Sequence, residues 1–195
     1  RRLGAAHPQE DPDSTIFTST VVHVCVRLSQ KVYNDNVTEK GAIIKFVKQG
    51  PSKDGTRYHK CQILMRLDKD NKTIYVAYKG TSEAMDVIRD MNIDDVEAKY
   101  SGLHVHNGFN SPVQSSLGMV ERIIKENYER EGVQKVVFCG HSLGGAYASL
   151  AHIEMSSKWK KDGFSKIKLK TYTFGAPWFY HASDAHINEE NALLV

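Results

Sequence analysis

The chain has 195 residues, enough for one domain with a sizeable core and too few for two ordinary ones. Hydrophobic residues make up 41% and charged residues 25%, a globular composition, and a net charge of +3 with both signs mixed along the chain argues against a nucleic-acid partner. No apolar run approaches the length of a membrane span.

The chain opens on Arg1-Arg2 and closes on Leu193-Leu194-Val195, which reads as cut at both ends. Residues 1–14, with Pro8 and Pro12 among acidic and small residues, are expected to form a mobile lead-in to a domain over 15–195. From Ser14 to Tyr33 the apolar positions Phe17, Val21, Cys25, Leu28 and Val32 step by four, four, three and four, a helical stripe. Crowding of β-branched Val21, Val22, Val24 and Val26 pulls the same stretch towards strand. Three strands are expected next, over Ala42–Val47, Tyr58–Leu67 and Thr73–Tyr78, with turn-forming residues at 50–55 and 68–72 between them. Connections this short make them antiparallel neighbours.

After Tyr78 the texture becomes strand, helix, strand, helix. Ser111-Pro112-Val113-Gln114 predicts a helix start, with serine as cap, proline in the first turn and glutamine closing a capping box. Val113, Leu117, Val120, Ile124 and Tyr128 would form its buried stripe, and Gly132 its stop. A strand over Lys135–Cys139, a helix from Leu143 to Trp159 and a strand over Ile167–Phe174 complete an α/β pattern.

Between the last helix and the strand before it lies Gly140-His141-Ser142-Leu143-Gly144-Gly145. A serine flanked at two residues by glycines, where an apolar strand turns into a helix, is the pattern of a nucleophile elbow. Side chains in place of Gly140 and Gly144 would collide with the neighbouring strand and helix, so hydrogen is the only comfortable substituent. The turn also aims the Leu143 N–H and the helix N-terminus at the place where an oxyanion forms.

Cys25, Cys61 and Cys139 have no C-x-x-C spacing and are too few for a disulfide framework, so buried free thiols are expected and no zinc or other metal site. Free thiols lean towards a reducing compartment, whereas the sequons Asn36-Val37-Thr38 and Asn71-Lys72-Thr73 lean towards a secreted protein. Cytoplasmic and secreted locations both stay open.

Four stretches together carry a resemblance: Tyr78-Lys79-Gly80-Thr81, Val105-His106-Asn107-Gly108-Phe109, the elbow itself, and Thr173-Phe174-Gly175-Ala176-Pro177. In this order over about residues 73–180, they resemble the class 3 lipases, α/β-hydrolases related to the fungal triacylglycerol lipases. The resemblance implies an α/β-hydrolase fold, with a mixed, mostly parallel sheet and flanking helices. It implies Ser142 as nucleophile, Thr81 and Leu143 as oxyanion-hole donors, and Asp90 as a support for the Thr81 hydroxyl. Lys79 stands where the family often has arginine. The segment 82–91, with Met85, Val87, Ile88 and Met91, resembles the lid and suits transient contact with a lipid interface. His141, preceding the nucleophile, is read as structural.

One departure matters. In the family the triad aspartate and histidine lie well past the Gly-x-Pro stretch. Here Asp184 and His186 follow in the right order but only two residues apart, too close on one element to act in succession. They are not assigned, and the partners are expected beyond Val195, so the fold is expected to be C-terminally incomplete and the 195-residue fragment inactive alone. A local base, if one exists, would be sought among His152, His181 and His186. The implied activity of the full-length protein is hydrolysis of lipid carboxylic esters, acylglycerols or phospholipids, with no metal or organic cofactor. A lipase-like domain that binds lipid or protein without catalysis, and a non-lipid esterase, are the alternatives.

Overall fold

The computed structural model describes residues 13–34, 42–44, 62–80 and 95–180. Strand β1 (Ala42–Ile44), β2 (Ile63–Asp68) and β3 (Thr73–Tyr78) are antiparallel neighbours, as expected. The short connection holds for β2 and β3, whereas residues 45–62 separate β1 from β2, and residues 45–47 and 58–61 of the expected strands lie outside the described residues. β3 then pairs in parallel with β6 (Lys135–His141), and β6 with β7 (Lys168–Phe174), giving a five-stranded sheet in the order β1-β2-β3-β6-β7. Among the described residues the helices are α1 (Asp13–Lys31), α2 (Asn107–Glu131) and α3 (Leu143–Lys161). A small separate hairpin pairs β4 (Asp95–Glu97) with β5 (His104–His106).

Alternation along the strands sorts their side chains between the two faces of the sheet. Ile74, Val76 and Tyr78 of β3 and Val136 and Phe138 of β6 enter the larger core, under α2 and α3. Tyr75, Ala77, Val137 and Cys139 face the other way, into a smaller core closed by Val21, Cys25, Leu28 and Val32 of the α1 segment. β3 is therefore buried along its whole length, as expected of a strand covered on both faces.

The α1 stripe explains why helix wins over the β-branched crowding. Val21, Cys25 and Leu28 are buried, whereas Val26 is exposed, so packing of one face outweighs the local cost of the extra valines. Cys25 and Cys139 are free buried thiols, as expected; Cys61 lies outside the described residues. The hydrogen bond to Cys139 and burial hold the Cys25 thiol protonated, above the ordinary thiol range. Residues 1–12 of the expected lead-in also lie outside the described residues, and α1 already begins at Asp13.

The start of α2 differs from expectation. The helix begins at Asn107, with His106 extended at φ −63° and ψ 133° before it, and Pro112 sits inside it. Ser111 is thus no cap and Gln114 closes no capping box; instead the Gln114 amide donates to Glu154. Proline is tolerated because it comes early in the helix, where one missing N–H removes a single bond. The expected end is found, with Gly132 left-handed at φ 68° and its N–H donating to the Tyr128 carbonyl at 3.0 Å.

Glu154 is a fully buried carboxylate in α3, and it organises the β4–β5 turn. It accepts from the Tyr100 N–H at 3.1 Å, from the Ser101 N–H at 2.8 Å, and from the Ser101 hydroxyl and Gln114 amide. A buried charge is tolerated only when its lone pairs are met in this way. Glu154→Ala is expected to cost about 3 kcal/mol, because two backbone amides and two side-chain donors lose a fully buried acceptor. The urea midpoint should fall accordingly; an unchanged midpoint would show that water replaces the carboxylate. At the far end of the same helix pair, Glu121 of α2 binds Lys158 at 2.9 Å and the Trp159 indole N–H at 3.0 Å.

Candidate active site

The carboxyl ends of three parallel strands converge on one turn. Tyr78 lies opposite Gly140, and Gly140 and His141 lie opposite Thr173 and Phe174. Ligand sites in open α/β sheets form outside such strand ends. Ser142 sits at the apex between β6 and α3, with φ 55° and ψ −131°. A side chain other than hydrogen is strained at that φ, and such strain persists only where the surroundings enforce it. Here they do: the Ser142 N–H donates to the Phe174 carbonyl at 2.9 Å, and the Ser142 carbonyl accepts from the Gly145 N–H at 2.8 Å.

Two glycines make the turn possible. A Cβ at Gly140 would lie 2.2 Å from the Gly144 carbonyl oxygen, and one at Gly144 would lie 2.3 Å from that of Tyr78 and 2.7 Å from the Gly80 nitrogen. The first residues of α3 thus press directly on the end of β3. Gly80, from the Tyr-Lys-Gly-Thr stretch, is brought against the elbow, with the place of its absent Cβ 3.0 Å from the Gly144 nitrogen. From Leu143 to Met155, α3 is buried all round, a rigid base whose N-terminus starts at the elbow.

Of the residues singled out from the sequence, Gly140, His141, Ser142, Leu143 and Gly144 meet at this turn. Thr81, Asp90 and the segment 82–91 lie outside the described residues, as do His181, Asp184 and His186. His141 is exposed, with Nδ1 3.5 Å from the Tyr33 hydroxyl. Beside it a cavity of about 440 Å³ is lined by Val26, Ser29, Gln30, Tyr33, His141 and Phe174. Tyr33 was not distinguished in the sequence, where it follows the last apolar position of a helical stripe.

No described histidine is hydrogen-bonded to the Ser142 hydroxyl. His106 Nδ1 lies 3.0 Å from Asp95 Oδ1 across the β4–β5 pair. His152, one of the histidines named as a possible base, is buried, stacks on Phe138 and shares a 2.6 Å hydrogen bond with Thr171 Oγ1. Burial pushes its pKa down to about 4, from an ordinary value of 6.5. The fold thus holds the neutral imidazole, and its contribution is complete above pH 6.5 and lost as pH falls towards 4. That loss is about 3 kcal/mol by pH 4. Urea unfolding at pH 7 and pH 4 should show it, and His152→Gln should remove this share of the pH dependence; equal slopes in both proteins would place the histidine's proton elsewhere.

Among the described residues no group of three histidines, cysteines or carboxylates is placed to hold a metal ion, and no helix is long and apolar enough to cross a membrane.

Comparison with known proteins agrees with this geometry. The profile of the family described as lipase (class 3) matches residues 75–190. A lipase of Rhizopus niveus is 32% identical over 116 residues, 58% of this chain and 29% of that protein. A lipase of Rhizomucor miehei is 31% identical over 107 residues, 54% of this chain and 29% of that protein. The chain therefore spans less than a third of the length of these curated relatives. Among solved structures, the Rhizomucor miehei lipase in complex with its propeptide superposes with a TM-score of 0.68 at 19% identity, over 93% of this chain and 61% of that one. A triacylglycerol lipase from Penicillium expansum gives 0.70 at 18% identity, over 91% and 68%. Identities at this level establish the α/β-hydrolase fold. With the family profile matched over more than half its length, the chain belongs to the class 3 lipases.

Proposed function

We propose that the protein containing this chain is a serine hydrolase of lipid carboxylic esters, acylglycerols or phospholipids, acting through an acyl-enzyme on Ser142. The observation that carries the reading is the strained turn at Ser142, with φ 55°, wedged between two glycines whose places no other residue can take. A hydroxyl held there at the N-terminus of α3 attacks the ester carbonyl carbon. The carbonyl oxygen gains negative charge, which the Leu143 N–H and the Thr81 N–H and hydroxyl stabilise, with Asp90 holding that hydroxyl. Collapse expels the alcohol and leaves the acyl group on Ser142, and water then releases the acid. The serine proton passes to a general base, and we assign that role to none of the described histidines. Segment 82–91 is proposed as the part that contacts a lipid interface.

The test is a fluorophosphonate probe applied to the full-length protein, followed by peptide mapping. The labelled peptide should contain Ser142. A protein left unlabelled under conditions where known serine hydrolases react would favour a lipase-like binding domain instead. In the labelled case, rates on p-nitrophenyl esters should rise with acyl chain length; a preference for acetate would point to a non-lipid esterase.

A further inference from the structure

Beyond the paired stretch of β3 and β6, the ladder no longer holds the two strand ends together. Pairing stops at Tyr78 and Gly140, and the next amide, Lys79 N–H, turns the other way to donate to the Gln62 carbonyl at 2.8 Å. The segment bearing Gly80 must nevertheless keep a fixed distance from the elbow. Tyr33 braces this contact from a third element. It sits just past the end of α1, in a turn fixed by Val32 N–H to Leu28 O at 3.0 Å, Tyr33 N–H to Gln30 O at 3.3 Å and Asn34 N–H to Lys31 O at 3.0 Å.

Three contacts radiate from its side chain. The phenolic oxygen packs directly on the Gly80 main chain, so close that no Cβ fits between them. The same oxygen lies 3.5 Å from His141 Nδ1, within reach of its own proton when His141 carries hydrogen on Nε2. Lys79 Nζ stands 5.9 Å from the ring centre, a cation–π distance. The fit is close: a Cβ at Gly80 would come 2.6 Å from the phenolic oxygen and 2.4 Å from the His141 carbonyl. Only glycine at 80 admits the phenol. Burial also pushes the pKa of the phenol up, which the Gly80 N–H opposes, so the hydroxyl keeps its proton at neutral pH.

We propose that Tyr33 is a positioning residue for the oxyanion hole, its hydroxyl fixing the main chain at Gly80 against the elbow at His141-Ser142. The inference rests on the hydrolase reading above, in which the donors come from Leu143 and from Thr81, the residue after Gly80 in sequence. An oxyanion hole works only if its donors are set in advance where the charge will develop. The phenol touches the main chain just past β3, at Gly80, and the end of β6, at His141. Its hydroxyl does not contact the reacting atoms. Its effect passes through the Gly80 amide.

Tyr33→Phe in the full-length protein tests this, because it removes the hydroxyl and keeps the ring under Lys79. For a soluble p-nitrophenyl ester, kcat should fall by roughly ten- to a hundredfold, the cost of a slightly misplaced catalytic group. KM should stay within about twofold, since the ground-state ester does not use the hole. The rate of fluorophosphonate labelling should fall in the same proportion. Hydrogen exchange at the Gly80 amide should quicken, and Tm should move by less than about 4 °C, as for one lost hydrogen bond. A purely structural tyrosine would lower Tm and the active fraction together and leave kcat per active site, titrated with the probe, unchanged; that result would overturn the inference. An active wild type matched in kcat by Tyr33→Phe would overturn the role of Tyr33 alone. A full-length protein that neither labels nor hydrolyses esters would overturn the hydrolase reading, and this inference with it.

Discussion

Ser142→Ala in the full-length protein should abolish fluorophosphonate labelling and lower kcat for ester hydrolysis by roughly a millionfold, the loss seen when one member of a cooperating nucleophile set is removed. The fold should not notice. Alanine keeps the Cβ and its strain at φ 55°, and the bonds from the Ser142 N–H to Phe174 and from Gly145 to the residue 142 carbonyl belong to the backbone. Melting curves of the two proteins should therefore superimpose. Ser142→Gly goes further: it relieves a conformation that costs about 1–3 kcal/mol in any residue with a side chain. That variant should be more stable than the wild type and equally dead. A gain in stability coupled to a total loss of turnover would identify the strain as serving chemistry. Labelling that survives in Ser142→Ala would put the nucleophile at another residue.

Gly144→Ala is the second large effect, and it acts on the fold. The added methyl would stand 2.3 Å from the Tyr78 oxygen, 2.7 Å from the Gly80 nitrogen and 2.9 Å from the Lys79 carbonyl carbon. All three are backbone atoms at the end of β3 or just past it, which cannot rotate aside as a side chain can. Either α3 lifts off β3 or the end of β3 moves, and the cost should exceed about 4 kcal/mol, at the upper end for a single added methyl. Gly118→Ala is the control. Gly118 lies in the middle of α2 with nothing within 4 Å of its would-be Cβ, so alanine there should add about 0.5–1 kcal/mol of stability. Opposite signs from the same substitution in two helices would be read directly from urea midpoints. A soluble, fully stable Gly144→Ala protein would mean that the elbow packs more loosely than its contacts indicate.

What was legible in the sequence follows from which forces act locally. The elbow could be read because its glycines answer a steric demand that only hydrogen meets, and the demand leaves a fixed spacing. Strands β3 and β6 could be read because burial on both faces writes itself into apolar runs, and β7 because its apolar residues alternate with polar ones. The β4–β5 hairpin could not: Asp95-Val96-Glu97 and His104-Val105-His106 each offer a single apolar residue, and what holds the turn is Glu154, more than fifty positions away. The start of α2 was misplaced because Ser111-Pro112 satisfies the rules for a helix start, whereas the chain had already turned helical at Asn107. Tyr33 left no mark either, since what distinguishes it is two partners contributed by other strands. Local chemistry shows in sequence, and a contact that joins distant segments shows only in the fold.

The two faces of the sheet are not equally defended. The larger core is shared by α2 and α3, whereas the described part of the smaller one is closed by the α1 segment alone, through Val21, Cys25, Leu28 and Val32. A flank held by one helix is the first to open when a protein breathes, well before the cooperative melt. Because Tyr33 is carried on the end of that helix, such an opening would withdraw it from Gly80 while the sheet stays intact. On warming, catalysis should then fade several degrees below the temperature at which far-ultraviolet circular dichroism changes. Amides of α1 should exchange with solvent through a partial opening that the amides of β3 and β6 do not share.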